Sequence, residues 1–182
     1  MSQPLILPYN ALRPQIHPAA FVLPGSVIVG DVAIGEHSSI WFNCVVRGDV
    51  HSIRIGARTN IQDLSMLHVT NGRFSLTIGD DVTIGHRAII HGCTVNSSVL
   101  VGMGAVLLDG CVVDSFTIVA AGSVVREGQH IPSGVLAAGV PARVVRDLTP
   151  SERESILDIA AQYVGYAQSY ASIVSEHTTA LS

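Results

Sequence analysis

Aliphatic residues recur every six positions along most of the chain, and this period constrains the fold more than any other feature. The series runs Val22, Ile28, Ile34, Ile40, Val46. It resumes at Ile55, Ile61, Leu67 and at Ile78, Ile84, Ile90, and after one step of five continues through Val95, Val101, Leu107, Val113, Val119 and Val125. Glycine often follows, as in "IGEHSS", "IGDDVT" and "VGMGAV". A period of six fits neither a helix of 3.6 residues per turn nor plain two-residue alternation. It fits very short strands separated by turns, each directing one aliphatic side chain inward. Three such strands close a coil of about 18 residues with a triangular section, and coils stack by strand pairing at about 4.8 Å. An antiparallel sandwich would place its turns at irregular intervals of roughly 8–12 residues.

The pattern resembles the hexapeptide-repeat left-handed β-helix family. The repeats cover about residues 20–130, within a β-helix domain expected over 1–148. After "GVPARVVRDL" the pattern changes. Thr149, Pro150 and Glu152 form a capping box with proline at the first helical position. Ile156, Ile159, Tyr163, Tyr166, Tyr170 and Ile173 then repeat at three and four. This predicts a C-terminal α-helix over 149–176, packed alongside the prism or on a neighbour, and a frayed tail over 177–182.

Hydrophobic residues make up 48% of the chain and charged ones only 13%, which predicts a surface partly covered by another subunit. The net charge of −4 offers no basic patch for nucleic acid. The start, "MSQPLILPYNALRP", has an apolar run broken by Pro4 and Pro8 without a basic lead, unlike a signal peptide or a membrane span. A cytoplasmic protein with no membrane partner is expected. Cys44, Cys93 and Cys111 form no C-x-x-C pair and fit reduced thiols in that compartment.

His86 and His91 lie five residues apart, an interval that lets neither a helix nor a strand present both to one metal ion. The repeat acts as a ruler. Ile55 to Ile78, Ile61 to Ile84 and Leu67 to Ile90 are each one coil plus a five-residue insertion, placed in "TNGRFS". His68 and His91 therefore occupy the same spot on successive coils, both directed outward. Two imidazoles so stacked can lean onto one metal at about 2.0–2.1 Å. His86 lies on the preceding face near a corner. In a threefold assembly that corner can meet the neighbour's face, so His68 and His91 from one chain and His86 from the next would complete each site. The same ruler puts Arg47 in the column of His68 and Asp63 in the column of His86. Asp63 would then approach the neighbour's Arg47, with Asp49 as a second partner for that arginine. Gln62 would point outward beside the corner and present its amide to a metal-bound water. Taken singly, such histidines are more often solvated surface residues, and H-x₄-H matches no local metal motif. The joint geometry is what favours a site.

The stretches "VVRGDV", "NIQDLSMLHVT" and "IGHRAIIHGCTV" resemble the γ-class carbonic anhydrase-like family, and the likeness extends over nearly the whole chain. It implies a homotrimer of left-handed β-helices with metal ions between subunits. His68, His86 and His91 would be the ligands, Gln62 would orient hydroxide or CO2, and Arg47, Asp49 and Asp63 would form the interface network. Tyr163 in "AAQYVGY" resembles a family tyrosine reaching towards the site, and equally fits a core tyrosine of the helix stripe. The implied activity is zinc-dependent reversible hydration of CO2 to bicarbonate by metal-bound hydroxide, with Fe2+ or Co2+ as alternative metals. The archetypal member carries shuttle glutamates where this chain has Val50 and the carboxylate-free "VTNGRFS", which predicts slow turnover. Two alternatives stay open: an acyl-CoA thioesterase or acyltransferase of the hexapeptide-repeat superfamily, for which "GVPARVVR" speaks, and a metal-holding scaffold without turnover.

Overall fold

The computed structural model describes residues 3–179. It is a parallel β-solenoid of about seven turns with a single C-terminal helix, the architecture of a left-handed β-helix of hexapeptide repeats. The aliphatic series forms three columns, one per face. On the first, Ile28, Val46, Leu67, Ile90, Leu107 and Val125 pair in succession. On the second the order is Ile34, Ile55, Ile78, Val95, Val113 and Ile131. On the third it is Val22, Ile40, Ile61, Ile84, Val101, Val119 and Ala137. Apart from Val22, none of these side chains is more than 4% exposed. The columns thus fill the prism and run two steps beyond Val125.

Parallel strands joined by such short connections must turn sharply at every corner. Asn43, Arg58, Asp81, Arg87 and Phe116 do so with φ between 52° and 59°, a conformation that costs a non-glycine residue on the order of 1 kcal/mol. Stacking offsets that cost. The Arg58 N–H donates to the Glu36 carbonyl, Arg87 N–H to Asp63 and Phe116 N–H to Ser98, each from the corner of an adjacent coil.

Where the six-residue step is broken, the chain leaves the prism. In "TNGRFS" a tight loop is closed by an antiparallel bridge between Thr70 and Phe74. The strand Val45–Ile55 carries the other long interval and passes a corner with a register shift opposite Gly30 and Val32.

The helix α1 (Pro150–Thr179) continues through 177–179, which the sequence suggested as frayed tail; residues 180–182 lie outside the described residues. Its start is a capping box in both directions: Thr149 N–H donates to the Glu152 carboxylate at 2.9 Å, and Glu152 N–H to Thr149 Oγ1 at 3.2 Å. Arg146 adds a two-pronged contact to the same carboxylate. With the Thr149 backbone it holds the Glu152 carboxyl down at about 2. α1 lies on the third face, against strands Phe21–Val22, Ser39–Ile40, Asn60–Ile61 and Thr83–Ile84. The first half of the expected stripe faces the prism, with Ile156 buried and Ile159 and Tyr163 half-buried, and the second half does not. Ile156, Ala160 and Ala167 are fully buried, whereas Tyr166, Tyr170 and Ile173 stay 40–51% exposed. Small alanines allow the helix axis to approach the sheet closely, which turns the larger residues to the flanks.

Ile84→Ala empties a position enclosed between Ile61 and Val101. It should cost about 2–5 kcal/mol in chemical denaturation. Because the Glu152 carboxyl is depressed on folding, its cap contributes fully above the unfolded value of roughly 4.3 and is lost as pH falls towards 2. Glu152→Gln should therefore lower the thermal midpoint at pH 7, with the difference from wild type closing over that acidic window.

Candidate metal centre

His68 and His91 end the strands Met66–His68 and Ile89–His91 and are paired Cα to Cα in the ladder. Stacking brings His68 Nδ1 to 3.1 Å from His91 Nε2. Each ring is held through its other nitrogen. His91 Nδ1–H donates to Asp109 Oδ1 at 2.6 Å, and His68 Nε2–H to Asp49 Oδ1 at 3.2 Å. A neutral imidazole carries one N–H and one lone pair. With both N–H groups committed to carboxylates, the facing nitrogens meet lone pair to lone pair and need a cation or a shared proton between them. Their separation is close to the edge of a tetrahedron with ligands at 2.0–2.1 Å, about 3.3 Å. The donor set and spacing fit a metal ion.

The carboxylates are themselves anchored. Arg47 Nη1 donates to Asp49 Oδ2 at 2.6 Å, and Thr70 Oγ1 to Asp109 Oδ2 at 2.6 Å. Burial alone would raise both carboxyls. For Asp49 the hydrogen bonds from Arg47 and His68 outweigh it, and for Asp109 those from Thr70 and His91 do, so both lie below the usual carboxylate range. His68 is lowered, chiefly by burial and further by the Arg47 charge, against the opposing hydrogen bond to Asp49. A depressed imidazole stays neutral, as a metal ligand must.

His86 sits at the turn after the strand Thr83–Ile84, on the third face. Among the described residues of one chain, no three His, Cys, Asp or Glu side chains are grouped to hold a metal ion. Nδ1 of His86 lies 2.8 Å from the Asp63 carboxylate. The partners within the chain are therefore Asp63 with His86 and Arg47 with Asp49. The contact expected between Asp63 and a neighbour's Arg47 would have to be added to these.

Gln62 is only 6% exposed, because α1 covers the outer surface on which it lies. Its amide nitrogen donates to Asn60 Oδ1 at 3.1 Å, and Asn60 Nδ2 to Thr83 Oγ1 at 2.9 Å. This relay fixes the amide and leaves its carbonyl oxygen for a ligand. Tyr163 lies between the helix and the third face. Its ring packs edge-on against Trp41 at 5.3 Å, and it lines an apolar cleft of about 440 Å³ together with Gln62 and His86. Burial, then the nearby Asp63 and Tyr166, raises its phenol. A second cleft of about 390 Å³ runs from Asp63 and His86 along Trp41, Phe42, Tyr166 and Tyr170. The cysteines are buried free thiols; burial pushes Cys44 up to about 12, so it stays protonated.

Asp109 and Thr70, which brace the His91 ring, were not singled out from the sequence. The signal was present in "LLDG", one coil beyond "IIHG", but the five-residue step after Ile90 shifts the two out of simple alignment.

The repeat and site can be set beside known proteins. Residues 13–48 match the family model for the bacterial transferase hexapeptide (six repeats). A carbonic anhydrase of Geobacillus kaustophilus is 45% identical over 175 residues, covering 96% of each chain. The chain belongs to the γ-class carbonic anhydrase-like family. Within it, the mitochondrial gamma carbonic anhydrase 1 of Arabidopsis thaliana is 48% identical over 164 residues, 87% of this chain but 60% of that protein's length. Among solved structures, a hexapeptide transferase family protein from Anaplasma phagocytophilum superposes with a TM-score of 0.88 at 37% identity, covering 91% of this chain and 98% of the other. At the first position where the γ-class pattern has a shuttle carboxylate, Val50 packs against the hydrophobic core. The charged residue of the "VTNGRFS" loop is Arg73, stacked 5.3 Å from the Phe74 ring. No helix among the described residues is long and apolar enough to cross a membrane.

Proposed function

We propose that this protein is a metal-dependent carbonic anhydrase, interconverting CO2 and bicarbonate at sites shared between the subunits of a homotrimer. One observation carries it: two imidazole nitrogens 3.1 Å apart, each ring bonded through its other nitrogen to its own carboxylate. His68 and His91 supply two ligands and His86 of the neighbouring subunit the third. Zn2+ suits three imidazoles and an open position, with Fe2+ and Co2+ as alternatives. When bound, such an ion supplies the Lewis acidity that brings the ionisation of a coordinated water to about neutral pH.

The chain's own residues do the rest. Asp49 holds the His68 imidazole in the tautomer that offers a lone pair, and the Asp63 carboxylate lies against the His86 ring. The Gln62 carbonyl oxygen, fixed through Asn60, accepts a hydrogen bond from the reacting water and aligns it with CO2. The apolar lining of the adjoining cleft receives that uncharged substrate. Arg47, anchored on Asp49, offers its remaining N–H groups to bicarbonate or to the neighbouring subunit. With Val50 and the "VTNGRFS" loop free of carboxylates, the proton leaves to buffer.

A second reading rests on the size of the cleft, which is far larger than CO2 needs. Its walls include Leu100, Met103, Ile118 and Ile159, which suits an acyl chain, and CoA-dependent turnover would select it.

Stopped-flow CO2 hydration by the Zn2+-loaded protein should show a rate that climbs with buffer concentration. His91→Ala should lower it by at least about 100-fold while leaving the fold intact. Light scattering should give a trimer holding one ion per chain. A fully loaded trimer without hydration at any buffer concentration would contradict the assignment.

A further inference from the structure

The geometry points to Asp109 as the positioning residue of the metal centre: anchored by Thr70, it fixes the tautomer and tilt of His91 so that Nε2 faces His68. The inference rests on the proposed metal site and adds residues outside its ligand set.

Three observations carry it. First, the contact is short and enclosed. Asp109 Oδ1 accepts from His91 Nδ1 at 2.6 Å, with side-chain exposures of only 18% and 30%. Second, the carboxylate is held from behind. Thr70 Oγ1–H donates to Oδ2 at 2.6 Å, and Thr70 is the first residue of the loop that interrupts the repeat, closed on itself through the bridge to Phe74. The insertion thus has a task, to carry a hydroxyl to the outer oxygen of Asp109. Third, the backbone makes room. Gly92, immediately after His91, has φ +51°, and a Cβ there would collide with the Asp109 carboxylate and approach the Cβ of Phe74 to 2.8 Å. Loop, glycine and carboxylate form one fitted unit behind one ring nitrogen.

The comparison with the other two histidines makes Asp109 the more demanding element. Asp49 is held by Arg47 and meets His68 at 3.2 Å, and Asp63 meets a more exposed His86 at 2.8 Å. The His91 contact is the shortest of the three, and its carboxylate is braced by a neutral hydroxyl on a loop, where Asp49 has a neighbouring guanidinium. A carboxylate behind a ligating imidazole orients the ring and raises its basicity, and loss of such a partner typically costs about 10–100-fold in metal affinity.

The test is Zn2+ competition against a chromophoric chelator, run on wild type, Asp109→Asn, Asp109→Ala and Thr70→Val. Asp114→Asn, which touches His130 on the surface, serves as the control. Asn keeps an acceptor for Nδ1–H but loses the charge, so affinity should fall by about 10-fold, and by up to about 100-fold in the alanine variant. Thr70→Val should fall between wild type and Asp109→Asn, and the control should match wild type. The ring nitrogens of His91, followed by 15N NMR in the metal-free protein, should show Nδ1–H in wild type and a mixture of tautomers in Asp109→Ala. A merely structural residue would lower the melting temperature of the metal-free protein without moving affinity per folded chain or the tautomer. That result, or unchanged affinity in both Asp109 variants, overturns the inference alone. Failure of the wild-type protein to bind Zn2+ at one ion per chain overturns the metal site and the inference together. Should Asp109→Ala not fold, Asp109→Asn and Thr70→Val carry the same decision.

Discussion

Parallel pairing of successive coils, one strand spacing apart and in register, is the constraint on which the molecule depends. It stacks Leu67 on Ile90 inside the prism and, one residue later, His68 on His91 outside it. The same spacing that closes the aliphatic columns brings two ring nitrogens to 3.1 Å. The geometry of the histidine pair is therefore a by-product of the core. A slip of register by one residue would turn every column inside out and separate the histidines at the same stroke.

The columns were legible in the sequence because a six-residue period repeated so often has few physical solutions. The pairings Ile55 with Ile78, Ile61 with Ile84 and Leu67 with Ile90 follow from counting alone. The insertion in "TNGRFS" was legible for the same reason, since the count breaks there. The helix start was written in Thr149, Pro150 and Glu152. Its buried face was legible only in the first half, at Ile156, Ile159 and Tyr163. Hydrophobicity singled out Tyr166, Tyr170 and Ile173, whereas contact with a flat sheet selects small residues such as Ala160 and Ala167. The rings of Tyr163 and Tyr170 instead brace Trp41 from the side.

The partners of the histidines mark the other limit. His68 and His91 could be placed because they sit beside column residues. Asp109 could not, since it reaches across coils from a corner, and its role depends on the side chain of Thr70 and the empty volume at Gly92. Sequence periodicity reports what points inward. What surrounds an outward-pointing side chain at a corner depends on turns and insertions, whose geometry the repeat does not encode.

The central claim, that the third ligand comes from another chain, is tested most directly by complementation. His86→Ala retains an intact face and His91→Ala an intact corner, so each alone should lack the three-histidine site. Refolded together at equal amounts, they form mixed trimers in which about a quarter of the interfaces combine an intact face with an intact corner, given closed cyclic symmetry. The account predicts that Zn2+ uptake and CO2 hydration return at about that fraction of wild type. Activity that stays absent in verified mixed trimers would contradict a site shared between subunits.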